Sequence, residues 1–371
     1  MPQDTCEIRI YDKDFKWLGV TQLAESVQFS RELYGAGQFE IHIHPDKVGA
    51  LELTRRGNII VINGDGHKSG IIRDFQLDES REKVELVIHG VTGNGMAAQR
   101  ITVPPTQAQD ANALGWDKVS GPAETVIKHY AGRNMTTAYD GKRNFPRLAL
   151  AADKARGKTY PWKSRYARLL DELQNIGTYG EMGFEIMADV ASKRWMFDVI
   201  EGTDRSKSQT ERSPVTFALA YQNIQDYRYV EDFQNYRTTG YAGGQGEDEK
   251  RLIYTLGADY MGDDRWEEFL DCGNAAQVNE LIYYGQQKMN EYQQAKTLEA
   301  KLLPNVFVFD RDYFLGDLVT VYIARLTLQL GTRIEGIKEI WERPTGYRNE
   351  IRFGGKVPNL FTALKKTGEV R

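Results

Sequence analysis

The stretch VQFSRELYGAGQFEIHIHP, residues 27–45, decides the fold class. Phe39, Ile41 and Ile43 alternate with Glu40, His42 and His44, a period of two that belongs to a strand with one apolar face. Gly35 and Gly37 supply turn geometry that bulky residues resist, between strands predicted over Val27–Glu32 and Gln38–His44.

Working outward, the same signal recurs. Cys6–Tyr11 and Phe15–Thr21 read as a hairpin, Asn58–Asn63 is an apolar run before a strong turn, and Ser69–Leu77 pairs with Lys83–Gly90 around a turn at Asp78–Arg81. A short helical pattern covers Asp46–Leu53. Several short strands at this spacing predict a small β-barrel or sandwich over residues 1–105.

The character changes after Val103-Pro104-Pro105. Helices are predicted over Ala123–Ala131 and Tyr166–Tyr179, the second with Ser164 as its cap. A hairpin of Phe184–Ala188 and Arg194–Ile200 follows, and residues 106–210 read as an inserted α+β domain. From Pro214 strands return at Asn223–Glu231, Tyr236–Gly240 and Arg251–Leu256. Arg265–Leu270 reads as short and helical. Ala275–Ala300 reads as the longest helix, carrying Val278, Ile282, Gly285, Met289, Tyr292 and Leu298 as a stripe. It suits packing on its own subunit better than a coiled coil. Residues 211–300 thus hold strands and a long helix. Residues 301–371, with strands at Leu318–Ile323, Arg333–Glu342 and Asn349–Phe353, form a second barrel module completed by strands from 211–260. The fold class is α+β and mainly β.

Composition narrows the function. Lys and Arg number 48 and Asp and Glu 52, a net charge of −4 that lacks the basic excess of a protein built on nucleic-acid backbone. Two cysteines, Cys6 and Cys272, provide neither a zinc site nor a disulfide framework, and both read as free thiols. No hydrophobic run approaches the roughly 20 residues of a membrane span.

Each candidate for chemistry has a plainer reading. His42 and His44 share a strand face and could begin a metal site, but the sequence has only three other histidines and no His-Glu-x-x-His pattern, so an exposed strand face is the better reading. Gly90-Val-Thr-Gly93-Asn-Gly95 follows a strand as a phosphate loop does, but its spacing reverses the dinucleotide pattern and it reads as a turn. Gly243-Gly244-Gln245-Gly246 is followed by Glu247, Asp248 and Glu249, carboxylates that repel phosphate, and reads as a mobile acidic loop. Asp263-Asp264 and Glu267-Glu268 are the paired acids a wall-degrading glycosidase would use, or simply a solvated surface. The segment Lys158–Tyr166 mixes aromatic and basic residues, as a nucleic-acid groove or a protein interface does. No catalytic, cofactor or metal residues are assigned.

The order of several weak motifs resembles the siphophage and prophage tail proteins related to the baseplate hub of contractile phages. They are Gly37-Gln38-Phe39-Glu40-Ile41; Gly70-Ile71-Ile72-Arg73-Asp74 with Val84–Gly90; Gly243-Gly244-Gln245-Gly246-Glu247 with Arg251; Trp266–Asp271; Leu315-Gly316-Asp317 entering a strand; Arg333-Ile334-Glu-Gly336-Ile337; and Phe353-Gly354. The resemblance implies a non-enzymatic hub subunit without cofactors. It would form a homotrimeric ring at the virion tail tip and be made in the bacterial cytoplasm. Implied partners are the distal tail protein, the tail tube, the tape-measure protein and a fibre or receptor-binding protein, with nucleic acid only passing through the channel. A tail-associated cell-wall hydrolase and a nucleic-acid-contacting virion component are the alternatives.

Overall fold

The computed structural model describes residues 6–109, 115–273, 275–303 and 306–354. In chain order the strands are β1 (Ile8–Tyr11), β2 (Trp17–Thr21), β3 (Ser26–Glu32), β4 (Gln38–Ile43), β5 (Ile59–Ile62), β6 (Ser69–Glu79), β7 (Val84–Thr92), β8 (Asp117–Pro122), β9 (Leu148–Leu150), β10 (Thr159–Ser164), β11 (Gly183–Asp189), β12 (Arg194–Ile200), β13 (Thr216–Phe217), β14 (Ile224–Asp232), β15 (Thr239–Gly243), β16 (Ile253–Leu256), β17 (Glu267–Asp271), β18 (Ala295–Leu302), β19 (Leu318–Ile323), β20 (Leu328–Glu342) and β21 (Gly346–Phe353). The helices are α1 (Ala50–Leu53), α2 (Ala123–Met135), α3 (Leu169–Gly180) and α4 (Val278–Met289).

The chain forms two compact units. Among the described residues, unit 1 comprises 6–109, 115–159, 163–227, 299–303 and 306–353, and unit 2 comprises 160–162, 228–273, 275–298 and 354. A 13-stranded sheet runs β14-β18-β21-β20-β3-β4-β7-β6-β5-β1-β2, with β19 pairing β20 and β13 pairing β19. Strands from both ends of the sequence therefore share one sheet, joined where β20 pairs antiparallel with β3. Among the described residues no pairing closes this sheet into a barrel.

The register shows how unit 1 builds its core. Asn349, Glu339, Phe29, Phe39, Gly90 and Ile72 face one another in turn across β21, β20, β3, β4, β7 and β6. The inward residues Ile8, Ile10, Val27, Phe29, Phe39, Ile41, Ile60, Ile88 and Trp341 form one cluster, each at most 5% exposed. Full burial of each such aliphatic or aromatic side chain contributes about 1.5–3 kcal/mol before chain entropy is subtracted. The glycines make room. A Cβ on Gly90 would lie 2.1 Å from the Phe39 ring, and one on Gly37 would lie 1.8 Å from the Ser30 carbonyl oxygen. Gly37 thus serves close approach, and not a left-handed turn.

In unit 2, β16, β15 and β17 form a three-stranded sheet. Leu281 and Tyr284 of α4 cluster with Ala242, Leu270, Cys272 and Ala275. Gly285 lets α4 approach closely, since a Cβ there would meet Leu256 at 2.7 Å and Ala242 at 3.0 Å.

Four expectations are corrected. The helix predicted over Ala275–Ala300 ends at Met289 and a 3-10 turn over Asn290–Tyr292, and the chain continues as β18. Leu298, Ala300 and Leu302 are buried at a spacing of two, a strand period hidden inside a stripe read as helical. Arg265–Leu270 is not helical either. Glu267–Asp271 is a strand paired in parallel with β15, which satisfies a backbone too short to hold a helix alone. Ser164 caps nothing: it ends β10 and bonds the Thr102 hydroxyl at 2.8 Å, while α3 starts at Leu169. The acidic loop after Gly243 is a bonded turn and not a free one, with Gly244 N donating to Leu252 O at 2.8 Å and Leu252 N to Gln245 O at 3.0 Å.

Candidate functional site

The residues singled out in the sequence separate between the units. In unit 1, Gly316 adopts φ +94°, and the turn it makes carries Asp317 inward to 2% exposure. Asp317 accepts hydrogen bonds from Thr203 N at 2.8 Å, Phe314 N at 3.0 Å and Arg205 Nε at 2.8 Å. The carboxylate therefore clasps the segment after β12 to the entry of β19. Gly202 completes the clasp, because a Cβ there would lie 2.0 Å from Gly316 O. Arg333 Nη1 donates to the same oxygen at 2.6 Å.

Asn94 binds the inserted segment in the same unit. Its amide donates to Gly35 O at 2.7 Å and Phe184 O at 3.1 Å, and its oxygen accepts from Ile186 N at 2.6 Å. The Gly93-Asn-Gly95 stretch is thus an internal joint. Nothing in its glycine spacing identified that role.

Sequence reasoning also missed a buried ionic cluster. Lys68 Nζ lies 2.8 Å from Glu339 Oε1 and 3.2 Å from Asp310 Oδ2, and Arg31 lies 3.4 Å from Glu185 and 3.7 Å from Asp310. His67 Nδ1 pairs with the other Glu185 oxygen at 2.9 Å. One signal was available. Val27, Phe29, Arg31 and Leu33 sit at a spacing of two, which places Arg31 in an inward row. Burial pushes the Glu339 carboxyl above its ordinary range against the opposing charge of Lys68.

On the opposite face of the same strands, His42 lies between Glu85 at 2.9 Å and Glu40 at 2.8 Å. Burial alone would lower its pKa, but the two carboxylates outweigh it and hold it above the usual imidazole value. His44 Nδ1 accepts from Asp46 N at 3.3 Å and lies 3.7 Å from the Asp46 carboxylate. Among the described residues no three His, Cys, Asp or Glu side chains could hold a metal ion. Cys6 and Cys272 form no disulfide among the described residues, and burial pushes the Cys6 thiol up to about 12.

Much of the basic segment around 154–168 has partners. Arg156 Nε pairs at 2.7 Å with Glu124, a fully buried carboxylate that also takes Lys128 Nζ at 2.6 Å. Burial would raise the Glu124 pKa, but these bonds hold it down at about 2. Lys163 and Arg165 stack over Trp116 at 5.1 and 4.6 Å.

Unit 2 gathers the mid-chain motifs on one exposed sheet face. Tyr241 lies opposite Phe269, and Gly243 opposite Asp271 and Ile253. Arg251 bonds Asp271 at 2.8 Å and stacks over Phe269 at 5.0 Å. A Cβ on Gly243 would press on that ring at 2.5 Å, one on Gly244 would meet Ala275 O at 2.5 Å, and Gly246 adopts φ +109°. Arg265 bonds Glu267 at 2.6 Å and the Tyr241 hydroxyl at 2.9 Å, and its bond holds the Glu267 carboxyl below the usual range. Glu268 points the other way, to Arg237 at 3.3 Å. Phe269 and Ile253 are half exposed. Arginine, tyrosine and phenylalanine on one open face are residue types enriched in protein interfaces. Gly354, the last described residue, follows β21 with φ +73°. No helix among the described residues is long and apolar enough to cross a membrane.

This architecture is the fold of phage and prophage tail proteins. It is shared with the tail protein from Neisseria meningitidis MC58 (TM-score 0.59, 12% identity, 95% of this chain and 97% of that one). The prophage MuSo2 43 kDa tail protein from Shewanella oneidensis shares it too (0.56, 10%, 94% and 97%), as does prophage tail protein gp18 from Listeria monocytogenes EGD-e (0.56, 11%, 98% and 99%). The chain belongs to the Siphovirus ReqiPepy6 Gp37-like protein family, whose model matches residues 7–355. No curated protein matches the sequence.

Proposed function

We propose that the protein is a non-enzymatic baseplate hub subunit at the tip of a siphophage or prophage tail. In this reading three copies form a ring that joins the tube and distal tail protein to the tip, with barrel-like modules as its wall. The observation that carries it is end-to-end coverage: 95% of this chain and 97% of the Neisseria tail protein superpose as one fold. A heterologous interface that closes by rotation gives such a ring.

The residue chemistry supports the reading. Gly37, Phe39, Gly316 and Asp317 act in packing and in backbone bonding. Glu267 and Glu268, the paired acids that a wall-degrading enzyme would use, point to opposite faces of β17 and are each bonded to an arginine.

Labelling purified particles with antibody against the chain tests the assignment. The expected result is label confined to the distal end of the tail, with cross-linking of intact particles giving a three-copy species. Label along the tube, or none on the particle, overturns it.

A further inference from the structure

Lys68, Asp310 and Glu339 meet inside unit 1 in an arrangement that the hub reading does not require. Lys68 Nζ stands 3.2 Å from Asp310 Oδ2 and 2.8 Å from Glu339 Oε1. The Lys68 and Glu339 side chains are 14% and 2% exposed. Phe309, 3% exposed, lies under the ammonium at 5.7 Å, and the Tyr347 hydroxyl donates to Glu339 Oε1 at 3.0 Å. Glu339 Oε2 is buried with no hydrogen-bond partner among the described residues. Asp310 is the wet member, with a third of its side chain exposed, and its Oδ1 faces Arg31 at 3.7 Å.

The largely buried Lys68 ammonium pays a desolvation penalty that the one-third-exposed Asp310 shares only in part, and turning the two into a neutral amide removes both of their charges. An amine held against a carboxyl group reacts as a unimolecular system, with effective molarities on the order of 10⁵ M or more in well-oriented cases. We propose that Lys68 and Asp310 condense into an intramolecular isopeptide bond, with Glu339 as the proton relay.

The balance is closed. One proton passes from the Lys68 ammonium through Glu339 to the Asp310 carboxylate, leaving a free amine beside a carboxylic acid. Nζ attacks Cγ, and charge develops on the oxygen facing Arg31. The Cγ–Oδ2 bond breaks, a second Nζ proton passes through Glu339 to the departing hydroxide, and one water leaves by the exposed side of Asp310. Glu339 ends as it began, and no oxidant, reductant or co-reactant is needed. The pKa of Glu339, raised by burial, suits a carboxyl that must hold a proton in transit.

The test is mass spectrometry of the denatured full chain with peptide mapping. The expected result is a chain lighter by one water, and a branched peptide joining the fragments that carry Lys68 and Asp310. Asp65-Gly66 and Asp140-Gly141 can also lose water by cyclising, so the branched peptide is the deciding readout. Lys68→Arg keeps the cation and Glu339→Gln keeps the shape of the relay, and both should restore the full mass. Asp310→Ala, at the most exposed of the three positions, gives the same readout if either buried variant fails to fold. Wild-type chain that yields separate, unmodified Lys68 and Asp310 peptides overturns the proposal and leaves a buried ion-pair cluster. So does a linked chain in which Glu339→Gln also links.

Discussion

Unit 1 and unit 2 use the same side chains in opposite ways. In unit 1 the carboxylates that pair with Arg205 and Lys68 lie inside, Asp317 at 2% and Glu339 at 1% exposure, while pairs such as Arg147 with Asp14 stay on the surface. In unit 2 the pairs of Arg251 with Asp271 and Arg265 with Glu267 lie on an open sheet face, and the buried cluster around Leu281 is apolar. A buried charge must find its partner or the fold fails, so in unit 1 charge specifies which segments meet. An exposed pair is screened by water, so in unit 2 packing carries stability and charge is left to decorate a surface.

The largest effect that sharpens this contrast is expected at Asp317. Asp317→Ala leaves Arg205 and two backbone amides unpaired, and removal of one partner from a buried pair costs about 3–5 kcal/mol. Denaturant titration should show that loss; a change below about 1 kcal/mol would break the contrast from the unit 1 side. Arg251→Ala in unit 2 should stay within about 1 kcal/mol in the same measurement, since its partner Asp271 is mostly exposed. A loss on the scale of Asp317→Ala would mean that the unit 2 face is structural.

The smallest effect is set by pH. His42, on the outer face of β4, has a folded pKa raised above 6.5, so its stabilisation is fully present below that value and fades as pH rises through the folded one. The stability difference between wild type and His42→Gln should therefore be larger near pH 6 than at alkaline pH. A difference that is flat with pH, or that grows as pH rises, contradicts the assignment of Glu40 and Glu85 as its partners.

Local pattern made much of this legible. The hairpins around Gly37 and between Ser69 and Gly90 follow from the alternation of apolar and polar residues on either side of a break, because a strand with one buried face writes its period into neighbouring residues. The strand entry at Leu315-Gly316-Asp317 was legible through the family resemblance, with glycine permitting a turn before the strand. The helix read over Ala275–Ala300 was carried too far: Leu298, six residues after Tyr292, falls about 120° off the helical stripe, whereas it forms a strand row with Ala300 and Leu302. Only the strand neighbours of β18 settle the choice. Asn94 and Glu339 were invisible because their partners lie far along the chain. Glu339 meets Lys68 from 271 positions away.

By itself, the sequence determined that this is a mainly β chain with glycines where backbones crowd. Those properties are set within a few residues by sterics and solvation. Only the tertiary structure decided that the first and last strands share one sheet, that Asp317 and Glu339 are buried, and that the mid-chain motifs of unit 2 converge on one face. Those outcomes depend on which distant segments pair, and a pairing free energy belongs to two segments at once.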